Sequence, residues 1–243
     1  MGKDEVFKKQ FSSTADFKFT STVAGVFDDM VNRSVPFYEE IQRMVAELTG
    51  DHAISDTVIY DLGCSTGTTM MLMDEKVNEN VEFVGVDDSA AMLDKCCSKL
   101  KENNFKHPFR LEVNDLNLPV SISNASVIVL CLTLQFVRPI NRERLLKEMF
   151  NGLVNGGVVI VIEKILAEDS DFNRSFIKYY YEMKKRHQYS EMEIAQKREA
   201  LENVLIPYKL SENITMLKDA GFRQCEVFFK WYNFAGIIAK KNA

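Results

Sequence analysis

Apolar positions along the chain follow two different periods. Over the first fifty residues they recur at helical spacing. Val23, Phe27, Met30 and Val31 mark one helix; Ile41, Met44, Val45 and Leu48 mark a second. The second helix is predicted to begin near Ser34 and Pro36, a capping residue and a first-turn proline, and to stop near Gly50. The first twenty residues lack a period and read as an arm that packs late or frays.

From residue 57 short apolar runs alternate with helices. Strands are predicted at 57–61, Val81–Asp87, Phe109–Val113, Ala125–Cys131 and 158–163. One helix between them carries Met70, Met71 and Met73. Another is capped by Ser89 and runs to about residue 103. A third, amphipathic over 141–153, is ended by Asn155-Gly156-Gly157. Repeated strand–helix–strand units predict a parallel sheet covered on both faces. Residues 164–210 break the rhythm with a helical insertion, in which the 28 residues from Asp171 to Arg198 contain no Gly or Pro. Phe172, Phe176, Tyr179, Tyr180 and Met183 form an apolar stripe there. It reads first as core packing, and otherwise as a cap over the strand ends or a subunit contact. Ile214, Leu217 and a stop at Gly221 mark a last helix. Residues 226–230 and 234–239 close the chain as an antiparallel hairpin. The expectation is one α/β domain: a doubly wound, mostly parallel sheet of about seven strands with an antiparallel C-terminal edge. Its parts are an arm and helices (1–50), a core (57–163), a helical insertion (164–210) and a C-terminal helix and hairpin (211–243).

Composition narrows the function classes. The chain has 243 residues, 46% hydrophobic and 27% charged, which is ordinary globular usage. With 11 Gly and 5 Pro, long loops should be few. A net charge of −5 gives no support to binding nucleic acid through its phosphates. The five cysteines are odd in number and form no C-x-x-C pair, so neither a disulfide framework nor a zinc site is expected. No secretory leader is visible, and apolar runs such as 125–134 are too short to span a bilayer. A cytoplasmic protein with no membrane partner is expected.

The chemistry gathers at predicted strand ends. Asp61-Leu62-Gly63-Cys64-Ser65-Thr66-Gly67 follows the first strand and opens a helix, where ligands of open α/β sheets bind. Gly63 and Gly67 let the backbone approach a ligand closely. The spacing D-x-G-x-x-x-G departs from the dinucleotide fingerprint, since Ser65 stands where its second Gly would be. Asp87 ends the second strand, 24 residues after Gly63. It can accept two hydrogen bonds from a ribose diol, or cap the helix after Ser89. Asp115, after the third strand, can accept from an adenine amino group, or serve as a turn aspartate. Three acids at three consecutive strand ends say more than any one of them. Cys64 reads as a small turn residue, because no base for a nucleophile is visible. Tyr180-x-x-x-Lys184 has the spacing of short-chain dehydrogenases, but the glycine pattern of that class is missing. His52, His107 and His187 are isolated, so no metal site is expected.

Several stretches resemble one family, the carboxy-S-adenosyl-L-methionine synthases of bacterial wobble-uridine tRNA modification. They are VFDDMVNRSVPFY (26–38), VIYDLGCSTG (58–67), VDDSAAM (86–92), LTLQF (132–136), YSEMEIAQKREALENV (189–204) and residues 220–222. The R-S-V-P-x-Y and Q-K-R-x-x-L-E-N-V segments are not general features of class I methyltransferases. The resemblance implies a methyltransferase-like Rossmann fold and an unusual reaction. Family members convert S-adenosylmethionine and prephenate into carboxy-S-adenosylmethionine and phenylpyruvate. In the proposed family mechanism prephenate loses carbon dioxide and hydroxide, the hydroxide deprotonates the sulfonium methyl, and the ylide captures the carbon dioxide.

The resemblance also implies roles for residues. Tyr38 matches a cofactor-contacting tyrosine, Gly63, Cys64 and Ser65 the cofactor turn, and Asp87 with Asp88 the ribose and adenine edge. Asp115 and Leu116 match the acid and its neighbour beside adenine. Arg198 matches the arginine that holds the transferred carboxylate, for which a planar guanidinium is suited; by spacing alone it reads as a surface helix charge. Cys131 stands where the family usually has Asn, and a thiol is a poor hydrogen-bond donor. A homodimer is expected, partly from the family and partly from the aromatic stripe, with the product passed to a separate tRNA-modifying enzyme. Two rival readings use the same fold: a conventional methyltransferase acting on a small molecule or tRNA, and a non-catalytic binding subunit.

Overall fold

Two helices, α1 (Ser21–Ser34) and α2 (Tyr38–His52), precede the strand–helix alternation in the computed structural model, which describes residues 2–8 and 16–242. The alternation runs β1 (Thr57–Leu62), α3 (Thr68–Lys76), β2 (Val81–Asp87), α4 (Ala90–Glu102), β3 (Phe109–Val113), β4 (Ala125–Cys131), α5 (Pro139–Gly152) and β5 (Leu153–Leu166). The insertion holds α6 (Ser170–Arg186) and α7 (Glu191–Leu201). A two-residue β6 (Tyr208–Lys209), α8 (Leu210–Ala220) and the hairpin β7 (Gln224–Trp231) and β8 (Phe234–Lys240) complete the chain.

The strands form one sheet in the order β3-β2-β1-β4-β5-β8-β7, with β6 added beside β5. β1 to β5 pair in parallel, and β8 runs antiparallel to both neighbours. The antiparallel strand therefore lies one place in from the edge. Alternate side chains of each strand point to opposite faces. Ile59, Phe83, Val127 and Val129 pack under α2, α3 and α4 with Ile41, Met70 and Leu93. Tyr60, Val84, Ile128 and Leu130 pack under α5 and α8 with Leu145, Met149 and Leu217. The chain thus leaves β1 for one face and β4 for the other. That splits the sheet open at their carboxyl ends.

Four sequence expectations are corrected. Ser34 ends α1 and does not cap α2, because its hydroxyl is taken by Lys197 Nζ (2.9 Å) and Tyr189 Oη (3.3 Å). Phe37, in the left-handed region at φ 53°, stands at the start of α2 instead. Next, Asn155-Gly156-Gly157 does not end α5. It lies inside β5, where the β4–β5 register shifts. Third, the aromatic stripe of α6 is divided: Tyr180 and Met183 are buried, whereas Phe172 is 64% and Tyr179 45% exposed. Helix α6 joins the core through Tyr180 and Met183, with Tyr181 beside them.

Last, the described part of the arm is packed rather than loose; residues 1 and 9–15 lie outside the described residues. Asp4 is 2% exposed. Its carboxylate accepts from Tyr189 Oη at 2.5 Å and lies 3.9 Å from Lys197 Nζ. A carboxylate is held in an apolar site only where such partners repay its lost hydration. Two charged groups 193 positions apart in sequence cannot announce that pairing by any local period. Asp4→Ala would leave the Tyr189 hydroxyl and the Lys197 ammonium short of their acceptor. We expect a loss of about 2–4 kcal/mol, read as a lower urea midpoint with an unchanged slope.

Candidate functional site

The loop between β1 and α3 is built to bring backbone close to whatever occupies the split. Gly63 (φ 83°), Ser65 (φ 51°) and Gly67 (φ 79°) turn the chain within five residues. A Cβ on Gly63 would lie 2.4 Å from the Thr133 side chain, so only hydrogen fits. The N–H groups of Gly63 and Cys64 both donate to Val86 O, and that of Ser65 donates to Asp87 Oδ2 at 3.0 Å. The loop is therefore strapped to the end of β2. Asp87 Oδ1 accepts from the Ser89 N–H at 2.9 Å, and the Ser89 hydroxyl caps α4. Asp87 orders the loop ahead of the helix and also faces the cavity.

That cavity has a volume of about 380 Å³. Of the eleven site residues expected from sequence, ten line it: Tyr38, Gly63, Cys64, Ser65, Asp87, Asp88, Asp115, Leu116, Cys131 and Arg198. Asp61 does not reach the wall. Toward β2 and β3 the wall is acidic. Burial holds the Asp87 and Asp88 carboxyls above the usual range, and Asp115 pushes Asp88 further. Asp115 Oδ1 accepts from the backbone and side-chain nitrogens of Asn117, both at 2.8 Å, which is the turn role. Its other oxygen has no hydrogen-bond partner among the described residues. Phe19 from the arm closes this end, with ring centroids 5.5 Å from Phe136 and 6.1 Å from Phe27. An apolar roof beside acceptors suits a flat heteroaromatic ring bearing an amine and a diol.

Behind the loop, Asp61 is 1% exposed, and neither carboxylate oxygen has a hydrogen-bond partner among the described residues. Burial, with Asp87 adding to it, pushes its pKa up to about 7. Tyr38 and Cys131 lie on the same side and are pushed upward, chiefly by burial. The Cys131 Sγ accepts from Gln42 Nε2 at 3.5 Å, while Gln42 Oε1 is buried without a partner. Gln42 thus turns its amide to the thiol from behind, without itself lining the cavity. Sequence reasoning missed it, because Gln42 sits on the core-facing stripe of an amphipathic helix. Cys64 is raised well above a usual thiol, first by contact with Cys96 and then by burial, which is the opposite of an activated nucleophile.

The far wall, from β5, α6 and α7, is basic, and no sequence pattern pointed its lysines to this site. Lys164, Lys184 and Lys197 all line the cavity, and Lys184 and Lys197 are buried. Burial lowers the Lys164 and Lys197 ammonium groups to about 8 and Lys184 further still, with the other two lysines adding repulsion there. Tyr180 and Lys184 do not form a dehydrogenase pair. The ammonium lies over the ring, 4.7 Å from its centroid, and burial pushes the phenol up. Arg198 is exposed at the rim, between this cavity and a shallower one between α6 and α7. Among the described residues no group of three His, Cys, Asp or Glu is placed to hold a metal, and no helix is long and apolar enough to cross a membrane.

Residues 59–157 match the model of a methyltransferase domain. A solved structure of an S-adenosylmethionine-dependent methyltransferase from Methanococcus maripaludis superposes with a TM-score of 0.60 at 16% identity, over 96% of this chain and 98% of that one. It shares the fold. The carboxy-S-adenosyl-L-methionine synthase of Methylococcus capsulatus is 54% identical over 99% of this chain and 100% of its own length. That of Nautilia profundicola is 44% identical over 98% and 100%. The chain belongs to the carboxy-S-adenosyl-L-methionine synthase family.

The family's cofactor carries an amine, a ribose diol and an adenine, and the donor set tests whether these fit. The buried, unpartnered Asp61 carboxylate calls for a cation, and the acids at the β2 and β3 ends call for hydroxyl and amine donors. The residues fit the group. In the ligand-free protein Asp61 must work against stability as it ionises. Its folded pKa, about 7, lies above the ordinary 3.8, so the folded state holds the proton more tightly. That stability is complete below about pH 4 and is lost as pH rises through 7. Measured against Asp61→Asn by urea denaturation, the wild type should weaken by up to about 4 kcal/mol between pH 4 and 8. A constant difference between the two proteins would mean that Asp61 is not buried as a lone carboxyl.

Proposed function

We infer that the protein converts S-adenosyl-L-methionine and prephenate into carboxy-S-adenosyl-L-methionine, phenylpyruvate and water, for wobble-uridine tRNA modification. One observation supports this above the others: a single cavity has acids on one wall and cations on the other. A conventional methyl acceptor gives no reason to bury lysines near a cationic cofactor. A dianionic second substrate does.

The roles of the chain's groups are binding and shielding. Gly63, Cys64 and Ser65 hold the cofactor's amino-acid end by backbone, with Tyr38, Asp61 and Cys131 behind it. Asp87 and Asp88 take the ribose, and Asp115 with Leu116 the adenine edge, under the roof of Phe19. When bound, the cofactor supplies an electrophilic sulfonium with an acidic methyl group. Prephenate supplies carbon dioxide and the hydroxide that takes the methyl proton, so the chain needs no acid or base of its own. It must hold the two molecules together and keep bulk water out, so that carbon dioxide is captured before it escapes. The test is the product. Incubation with both substrates should give a cofactor 44 mass units heavier, where a methyltransferase would give S-adenosylhomocysteine.

Arg198 is the proposed holder of the transferred carboxylate. Guanidinium and sulfonium repel, so Arg198 adds nothing to S-adenosylmethionine binding, and a charge-assisted pair forms once the carboxylate is present. Since Arg198 is exposed, water screens that pair, and the gain should fall at the low end of about 1.5–3 kcal/mol. Calorimetry on Arg198→Ala should show about a tenfold loss for carboxy-S-adenosylmethionine and none for S-adenosylmethionine. Equal losses for both would remove Arg198 from this role.

We further propose that the chain acts as one cofactor-binding unit in the cytoplasm, as a C2 homodimer, binding no tRNA itself and passing its product to a separate tRNA enzyme. The net charge of −5 supports the absence of tRNA. The dimer is supported by the exposed aromatic patch on α6, where Tyr179 stacks on Tyr232 at 5.2 Å and Phe172 on Phe176 at 6.4 Å. Light scattering at micromolar concentration should give twice the chain mass, and Phe172→Glu with Tyr179→Glu should halve it. A monomeric wild type refutes the dimer.

A further inference from the structure

Two of the three cavity lysines lack a direct partner, and only Lys184 feels a carboxylate, Asp4, which acts from beyond ion-pair distance. Lys197 is served by Ser34 and Asp4. Among the described residues neither Lys164 nor Lys184 Nζ has a hydrogen-bond acceptor or a carboxylate partner. What they share is one aromatic ring: Lys164 Nζ lies 5.1 Å and Lys184 Nζ 4.7 Å from the Tyr180 centroid. The adjacent Glu163 offers no relief. Its oxygens accept from the Leu134 and Gln135 N–H groups at 2.8 Å, on the other side of the β4 end. Ammonium groups are rarely buried against only a ring face, because that interaction returns little of their lost hydration. An arrangement of this kind is completed by an anion that arrives from outside.

Position indicates which anion. The sheet order puts Lys164, on β5, across the β1–β4 split from the acids of β2 and β3. The pair therefore stands on the second-substrate side. Resting on the reaction inferred above, the anion is prephenate, which has two carboxylates of different fate. One leaves as neutral carbon dioxide; the other stays on the 2-oxo-acid arm and survives in phenylpyruvate. A cation held on the departing carboxylate would stabilise the ground state over the transition state and slow its loss. A cation on the surviving carboxylate has no such cost.

We propose that Lys164 and Lys184, held against Tyr180, anchor the 2-oxo-acid arm of prephenate and leave its ring carboxylate free to depart toward the sulfonium. These are substrate-binding residues on the wall opposite the adenosine, and Tyr180 positions them.

The test uses Lys164→Met and Lys184→Met in the full chain, which keep the aliphatic length and remove the charge. Removing an unpaired buried ammonium should raise the melting temperature of the free protein, so loss of fold is not the expected outcome. Calorimetry is run on protein loaded with S-adenosylhomocysteine, which does not react. Each variant should lose prephenate and phenylpyruvate affinity by the same factor, about ten- to a hundredfold, with S-adenosylhomocysteine affinity unchanged. Lys184→Arg should recover part of the loss. The proposal fails if phenylpyruvate binding is untouched while prephenate binding falls, because the lysines then hold the departing carboxylate. It fails equally if S-adenosylhomocysteine affinity falls in step, or if wild-type protein binds neither acid. Formation of carboxy-S-adenosylmethionine by the wild type is scored separately, so that failure of the reaction and failure of the anchor are told apart.

Discussion

Everything in the site depends on two neighbouring strands whose continuations part company. β1 and β4 are paired in parallel, yet α3 packs on one face of the sheet and α5 on the other. Covalent connection cannot fill the space between diverging chains, so a cleft opens at the strand ends. Each side of it inherits whatever side chains the flanking strands carry at their last positions. The strand order then sorts charge. On one side β2 ends in Asp87, and Asp115 follows β3 by two residues; on the other, Glu163 and Lys164 lie near the end of β5. Glu163 is turned to the backbone of the turn after β4, and Lys164 is left facing the cavity.

Most of this fold was legible in the sequence. The bounds of β2, β3 and β4 and the Ser89 cap are set by local chemistry: short apolar-rich runs bounded by turn residues, and a hydroxyl at a helix start. The elements misread were those governed by distant partners. Ser34 has the credentials of a helix cap, but its hydroxyl belongs to Lys197 and Tyr189, some 155 or more positions away. Asn155-Gly156-Gly157 looks like a stop and instead passes through a strand irregularity. The arm has no period because it is not a regular element. Its described residues are held by the buried Asp4 carboxylate, by a few rings and by scattered hydrogen bonds such as those from Gln196 to Phe7 O and from Ser89 to Phe19 O.

The site divides in the same way. Its acidic half could be read because each carboxylate lies at a strand end or within two residues of one. The basic half could not. Lys164, Lys184 and Lys197 come from three elements and sit among many other lysines of ordinary surface function. In a helix such as α6, Tyr180 and Lys184 are unremarkable, since i,i+4 pairs of this kind arise on any exposed face. Only burial distinguishes them, and burial is a property of the packed insertion over the sheet. Gln42 escaped for the converse reason: a polar residue on an apolar stripe was absorbed into the helix pattern.

Charge segregation also explains how a methyltransferase scaffold can run a different reaction without new acid–base machinery. A sulfonium cofactor is drawn to carboxylates, and burying Asp61 without a partner makes the ligand-free site the less stable form. A dianion is drawn to ammonium groups, and leaving Lys164 and Lys184 unpaired does the same on the opposite wall. Each substrate relieves a cost that the fold carries in its absence, and neither relieves the other's. Because the two charges are opposite in sign, the bound substrates also attract each other across the cleft, in a medium drier than water. The groups that must meet, a sulfonium methyl and a departing carboxylate, are the ends not tied to either wall. Fixing the far ends and leaving the reacting ends to approach is how binding energy raises the rate of the chemical step without merely deepening the ground state.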